Sequence, residues 1–250
     1  MTSAQHQRED NDSASDAVVR LHDIAFSWQR DEPPVLVLEQ LRIDRGEQVF
    51  VEGESGSGKS TLLSLLAGVA LPASGRVEVL GQSLNALGAA QRDAFRAEHI
   101  GYIFQMFNLI PYLSVIDNVT LPCRFSAKRR ARALRQAPSL DHEARRLLTH
   151  LDMGYDELIA RPVTALSVGQ QQRVAAARAL MGSPALLIAD EPTSSLDASR
   201  RESFVKLLFD ECRAAGSTLV FVSHDASLEP LFSRTIRLAD VNRAPRRGVL

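Results

Sequence analysis

The sequence predicts an α/β fold with a parallel central sheet, and three observations carry that expectation. Short apolar runs at Gln48–Glu52, Ala185–Ala189 and Thr218–Val222 have the length of strands buried on both faces. Stretches of helical character separate them. The first run leads into Gly53-Glu54-Ser55-Gly56-Ser57-Gly58-Lys59-Ser60-Thr61, after which Leu62–Ala67 reads as a helix packed on a sheet. Strand, glycine-rich loop and helix in that order are what a polyphosphate-binding loop requires.

From the N-terminus, residues 1–16 are polar and acidic and are expected to form a disordered tail. Val18 to Trp28 reads as a strand through Val19, Leu21, Ile24, Phe26 and Trp28. A turn follows at Asp31-Glu32-Pro33-Pro34, then a second strand from Val35 to Ile43. Trp28, the only tryptophan, has two readings by position: a strand-end aromatic, or a flat ring on which an adenine stacks. Stacking of a base on an aromatic ring is worth about 1–3 kcal/mol in nucleic-acid systems.

The residue types of the loop follow from its task. Gly53, Gly56 and Gly58 let backbone N–H groups converge on phosphate oxygens. The helix starting near Lys59 turns its positive end to the same anion. Lys59 is expected to reach the β- and γ-phosphates, and the Ser60 hydroxyl to ligate Mg²⁺. Beyond Ser74-Gly75 come a strand at Arg76–Leu80, a helix at Gln91–Glu98, and a short buried strand at Ile100–Phe104 that ends in Gln105.

Residues from about 107 to 165 differ in character and read as a helical insertion, with apolar periodicity at Val115 and Val119 and at Ala144, Leu147, Leu148 and Leu151. Between them lies the basic run Lys128-Arg129-Arg130-Ala131-Arg132, with Arg135 after it. A solvated helix face is the favoured reading of that run, and contact with anionic lipid headgroups or a partner at the membrane surface is the alternative. Ser167 reads as the N-cap of a helix over Gln170–Met181, with Gly169 leaving its start unobstructed. That N-terminus is a second place able to hold an anion.

The strand Ala185–Ala189 carries Asp190 and Glu191 at its C-terminal end. Ligands of open parallel sheets bind beyond those ends. There Asp190 suits Mg²⁺ coordination and Glu191 suits polarising an attacking water. Ser194-Ser195-Leu196-Asp197 leads into a helix over Ser199–Ala215. The strand Thr218–Val222 ends in Ser223-His224-Asp225, so His224 faces the same rim and is expected to contact phosphate. A strand at Arg234–Leu238 and a basic tail over 241–250 close the chain.

Composition narrows the classes. A chain of 250 residues holds one domain, or one domain with an insertion. A net charge of −1 gives no whole-chain attraction to nucleic acid. No apolar run approaches the roughly 20 residues needed to cross a bilayer. The N-terminus lacks the apolar core of a secretory signal, so the expected location is the cytosol. Cys123 and Cys212 have no partner at metal-ligand spacing and read as packed thiols. His6, His22, His99, His142 and His150 read as ordinary histidines.

Six ordered motifs together resemble one family, the ATP-binding subunits of ABC transporters, over about residues 18–240. They are the phosphate loop Gly53–Ser60, the glutamine loop at Gln105, the signature Leu166-Ser167-Val168-Gly169-Gln170, the acidic motif Leu186–Glu191, the D-loop Ser195-Leu196-Asp197 and the histidine His224. The resemblance implies a P-loop NTPase (RecA-like) core with an N-terminal antiparallel β subdomain and a helical insertion. The ATP-binding domain would span 17–240 and the insertion about 107–165. It also implies that two such subunits sandwich two ATP molecules. Each site would combine Lys59, Ser60, Gln105, Asp190, Glu191 and His224 of one chain with Ser167, Gly169 and Gln170 of the other. Within it Glu191, His224, Gln105 and Lys59 would serve catalysis, and Ser60, Gln105 and Asp190 would hold Mg²⁺. Glu54, Ser55, Ser57, Thr61 and Asp197 would complete the ATP contacts, and Trp28 would stack on the adenine where the family usually has tyrosine.

Two positions depart from the family pattern: Val168 replaces the first signature glycine, and Ser195 stands where alanine is more common. Gly101-Tyr102-Ile103-Phe104-Gln105-Met106-Phe107-Asn108-Leu109-Ile110-Pro111, with Asp117-Asn118-Val119, resembles the lipoprotein-release and macrolide-export group. The implied partners are an integral membrane permease of the FtsX type and a second ATPase subunit, at the cytoplasmic face of the inner membrane, with no nucleic acid. The cargo implied is lipoproteins, peptides or hydrophobic compounds. An ATPase of an FtsE-like regulatory complex or of a polar amino-acid importer is the alternative. A soluble ABC protein acting on ribosomes or DNA is disfavoured, because there is one nucleotide domain, no long coiled coil and no basic excess.

Overall fold

Period-two burial along three parallel strands organises the molecule. In the computed structural model, which describes residues 16–154, 159 and 161–245, the strands are β1 (Ala17–Phe26), β2 (Leu36–Asp44), β3 (Gln48–Glu52), β4 (Ser74–Val79), β5 (Gln82–Ser83), β6 (Ile100–Ile103), β7 (Leu186–Asp190), β8 (Thr218–Ser223) and β9 (Arg234–Arg237). They form two sheets. An antiparallel sheet runs β2-β1-β4-β5, and an all-parallel sheet runs β6-β7-β8-β3-β9. In the parallel sheet Phe50, Leu187, Ala189, Leu219 and Phe221 point into one apolar cluster. Val49, Val51, Leu186, Ile188, Val220 and Val222 point into the other, which they share with the antiparallel sheet. Burial on both faces is why these strands read as continuous apolar runs.

Because the strands are parallel, the C-terminal ends of β3, β6, β7 and β8 open onto one edge. Helix α1 (Lys59–Leu66) begins there and packs Leu62, Leu63, Leu65 and Leu66 against the sheet. Helix α2 (Ala89–His99) precedes β6. The predicted strand over Val18–Trp28 ends at Phe26, and Trp28 lies in the bend beyond it.

The insertion is helical as expected: α3 (Val115–Thr120), α4 (Pro122–Phe125), α5 (Ala127–Gln136) and α6 (Leu140–His150). Ser114, Ser126 and Ser139 cap α3, α5 and α6, each hydroxyl accepting from the backbone N–H three residues on. Asn118 is fully buried and closes the loop before α3. Its Oδ1 accepts from Ile110 N at 2.8 Å, and its Nδ2 donates to the carbonyls of Ile110 and Ser114 at 3.1 and 3.0 Å. Helix α7 (Val168–Leu180) then crosses beneath the parallel sheet, and α8 (Ala198–Ala215) and the short α9 (Leu238–Val241) complete the fold.

The basic run is not the solvated face its charge suggests. Lys128, Arg130 and Arg135 are exposed, but Arg129 is only 3% exposed. Its guanidinium donates to Met181 O at 2.8 Å, Ala179 O at 2.6 Å and Ile100 O at 3.2 Å. Arg132 donates to Gly182 O at 2.7 Å and Glu98 O at 2.6 Å. Two arginines of α5 thus satisfy the carbonyls that the end of α7 leaves open and tie them to the start of β6. Residues 1–15 of the N-terminal tail and 246–250 of the basic C-terminal tail lie outside the described residues.

Candidate nucleotide site

The phosphate loop connects β3 to α1, and its shape is set by close approaches. A Cβ placed on Gly53 would sit 2.4 Å from Ser57 Oγ, so any larger residue there would displace the Ser57 hydroxyl. Gly58 caps α1 in the left-handed region, at φ +102°. Lys59 Nζ donates to Gly53 O at 2.5 Å and to Glu54 O at 2.9 Å, which draws the side chain back over its own loop. The ammonium therefore sits at the loop's mouth, beside the N-terminus of α1.

A cavity of about 720 Å³ opens at this edge of the sheet. The loop contributes Ser55, Gly56, Gly58, Lys59, Ser60 and Thr61 to its wall. From the other strand ends come Gln105, Asp190, Glu191 and His224, and Trp28 and Val35 complete the wall. Gly53, Glu54 and Ser57 line an adjoining hollow behind the loop, which His224 also reaches. Trp28 is 59% exposed and meets Phe26 with the two rings near perpendicular and their centroids 4.9 Å apart.

The two acids behave differently although adjacent. Glu191 is buried and adopts φ +48°, a left-handed conformation that a non-glycine residue holds only when its surroundings impose it. Its N–H donates to Val222 O at 2.9 Å, continuing the sheet for one residue past β7. Its carboxylate meets His224 Nδ1 at 2.9 Å through Oε1 and accepts from Ser223 Oγ at 3.3 Å through Oε2. Asp190 lies on the cavity side. Burial, reinforced by the charge of Glu191 and only partly offset by Lys59, holds its carboxyl above the usual value of 3.8. Burial, with the charge of Asp190 added, likewise pushes the Tyr102 hydroxyl up.

The sign of the Asp190 shift makes a prediction. An acid whose folded pKa is raised favours the folded state below its unfolded value, and that contribution is lost as pH rises through the folded value. At neutral pH the ionised Asp190 therefore costs stability. In the absence of nucleotide and divalent metal, Asp190→Asn is expected to unfold at a higher temperature than the unmodified chain at pH 7. It should also lose the fall in stability above about pH 4. An unchanged or lower Tm at pH 7 contradicts this account of the site.

The signature residues do not line the cavity. Ser167 caps α7 as expected. Its hydroxyl accepts from Gln170 N at 3.4 Å, and Gln170 Oε1 returns the bond to Ser167 N at 2.9 Å. Val168 is 52% exposed beside it. This helix start packs on the D-loop. A Cβ on Gly169 would come within 3.4 Å of Leu196, and Ser195 Oγ lies 3.4 Å from Gln172 Oε1. Asp197 caps α8, accepting from Arg200 N at 3.0 Å. Ser167, Gly169, Gln170 and Asp197 thus form a second surface, separate from the cavity within one chain. Val35 and Ser223 are site residues that no sequence signal marked: one is an ordinary strand-start valine, the other a serine whose partner is 32 residues away.

The comparisons with known proteins agree with this geometry. Residues 39–194 match the family described as ABC transporter. The chain is 39% identical to the ABC transporter ATP-binding protein YbbA of Escherichia coli K12, over 89% of this chain and 95% of that protein. It is 40% identical to the lipoprotein-releasing system ATP-binding protein LolD of Syntrophotalea carbinolica, over 82% of this chain and 87% of that one. Identity is also 40% to the macrolide export ATP-binding/permease protein MacB of Chromobacterium violaceum, over 85% of this chain but 32% of that longer protein. Among solved structures, the dimeric post-hydrolysis state of the cassette MJ0796 bound to ADP and Pi superposes with a TM-score of 0.78 at 34% identity, covering 92% of this chain and all of that one. The chain belongs to the ABC transporter family, as an ATP-hydrolysing cassette of the kind found in LolD and MacB.

Proposed function

We propose that the cavity holds ATP with Mg²⁺, and that two chains close head to tail so that the signature surface of each covers the phosphates of the other. One observation carries this reading. The phosphate-loop, acidic and histidine residues share one cavity, while Ser167, Gly169, Gln170 and Asp197 lie together outside it. A second copy brings the two surfaces together, and the dimeric ADP- and Pi-bound relative supports that arrangement.

Within the cavity Trp28 stacks on the adenine and the loop N–H groups with Lys59 hold the β- and γ-phosphates. Ser60, Gln105 and Asp190 offer hydroxyl, amide and carboxylate oxygens, the hard donor set that suits Mg²⁺, and the raised pKa of Asp190 marks a place short of positive charge. Mg²⁺ there would supply charge neutralisation at the phosphates. Glu191 takes the proton of the attacking water or orients it, and His224, held by Glu191, faces the γ-phosphate. Lys59→Ala is expected to weaken ATP binding about 10- to 100-fold, since a charge-assisted contact is lost. Equilibrium binding of a fluorescent ATP analogue measures this, and unchanged affinity refutes the role of Lys59.

The partner we infer is a permease of the FtsX type, at the cytoplasmic face of the inner membrane, exporting or extracting lipoproteins, peptides or hydrophobic compounds. The likeness to LolD supports this. So does the likeness to MacB, an ATP-binding/permease protein. Among the described residues no helix is long and apolar enough to cross a membrane, so the spanning part is assigned to that partner. Affinity purification from detergent-solubilised membranes tests it: an FtsX-like chain in stoichiometric amount is expected, and a multi-span importer permease overturns the assignment.

A further inference from the structure

We propose that Asn242, just after α9, is a positioning residue for ATP binding that fixes the phosphate loop against the base-binding wall. An asparagine amide offers two donors and two acceptor sites, and Asn242 uses all four. Its Nδ2 donates to Ser57 O at 3.1 Å and to Val35 O at 3.0 Å. Its Oδ1 accepts from Val37 N at 2.9 Å and from Ala244 N at 3.0 Å. Two of these partners are carbonyls and two are N–H groups, so the amide orientation follows from the partners themselves.

Three of the four bonds land where the nucleotide needs definition. Ser57 sits between Gly56 and Gly58, at φ +80° and +102°. Turning over the peptide that joins Ser57 to Gly58 changes ψ of Ser57 and φ of Gly58, and at the glycine that change has little steric cost. In a planar trans peptide the C=O and N–H point opposite ways. Holding Ser57 O from behind the loop therefore turns Gly58 N–H toward the cavity that Gly58 lines. If that peptide turned over, it would present a carbonyl to the phosphates in place of a donor. The bonds to Val35 O and from Val37 N pin the start of β2, whose neighbour Val35 shares the cavity wall with Trp28. Arg243 N donates to Val37 O at 2.8 Å and holds the same edge. A Cβ on Gly58 would meet Val35 O at 3.3 Å and Asn242 Nδ2 at 3.6 Å, so loop, strand start and amide are in contact. One side chain thus sets the spacing between the phosphate end and the base end of the site.

The inference rests on the proposed ATP site. It is tested on the full chain with Asn242→Ala and Asn242→Asp, measuring ATP affinity by equilibrium binding and ATPase activity by phosphate release. Asn242→Asp keeps both acceptor bonds, and with them the attachment of the chain's end to β2, but removes both donors. Both variants are expected to raise KM and Kd for ATP about tenfold, with kcat within twofold of the unmodified chain. For Asn242→Asp the loss should persist when salt is raised from about 0.1 to 0.5 M, which screens a simple charge repulsion. ATP affinity within twofold of the unmodified chain in Asn242→Asp overturns the proposal, as does a fall in kcat and Tm with KM unchanged. An unmodified chain that fails to bind ATP overturns the ATP reading of the cavity itself, which separates the two failures.

Discussion

Glu191→Gln is expected to hydrolyse ATP about 10²–10⁴ times more slowly than the unmodified chain while binding it as tightly. Glu191 stands one residue beyond β7, in a left-handed conformation, and its N–H is bonded to Val222 O. Its carboxylate is therefore placed by the sheet rather than by a mobile loop. The amide of glutamine fills the same volume and can still accept from Ser223, so the backbone there has no reason to move. What disappears is the ability to take a proton from water and the charge that polarises it. Because the proposed ATP contacts are made by the loop, Lys59 and the aromatic wall, affinity should survive. Phosphate release at saturating ATP measures the loss, and a variant turning over at the unmodified rate removes Glu191 from the chemistry.

The second large effect is on stability. Arg129→Ala should lower the free energy of unfolding by about 3–5 kcal/mol, a large share of what a domain of this size has. The buried guanidinium serves three carbonyls at once: Ile100 at the start of β6, and Ala179 and Met181 at the end of α7. Burial pushes its pKa down to about 10, which still leaves it protonated at neutral pH. Truncation opens a cavity and leaves those carbonyls without their donors, each a cost of about 1–3 kcal/mol. Arg129→Lys keeps the charge but not the planar fork, so it should recover only part of the loss. Urea unfolding followed by circular dichroism reads both, and a change below about 1 kcal/mol in the alanine variant contradicts this role. The consequence reaches the site, because α7 begins at the signature residues and β6 ends just before Gln105.

Much of the site was legible because its residues are contiguous and their chemistry is carried by backbone shape. Gly53 to Thr61 announces a loop of converging N–H groups whatever surrounds it. The apolar runs before Asp190 and His224 place both at strand ends, and the parallel sheet brings those ends together. The gathering of Trp28 into the same wall followed only from the resemblance, since from position a strand-end aromatic was an equal reading. What the sequence hid are contacts made over distance. Arg129 and Arg132 sit in a charge run that looks solvated, and the carbonyls they serve at the end of α7 lie about 50 residues on. Asn242 carries no motif, and its meaning lies in partners more than 180 residues earlier. Side chains that bond to backbone carbonyls leave no pattern in the sequence of their partners, because every residue has a carbonyl.

In the proposed head-to-tail pair each chain holds only half of a working site. Light scattering on the Glu191→Gln chain, with and without Mg²⁺ and saturating ATP, tests it most directly, because bound ATP then persists unhydrolysed. The predicted result is the mass of one chain without nucleotide and of two chains with it. The Ser167→Arg variant of the same protein should remain at the mass of one chain in both conditions. A Glu191→Gln chain that is saturated with ATP yet keeps the mass of one chain would contradict the claim.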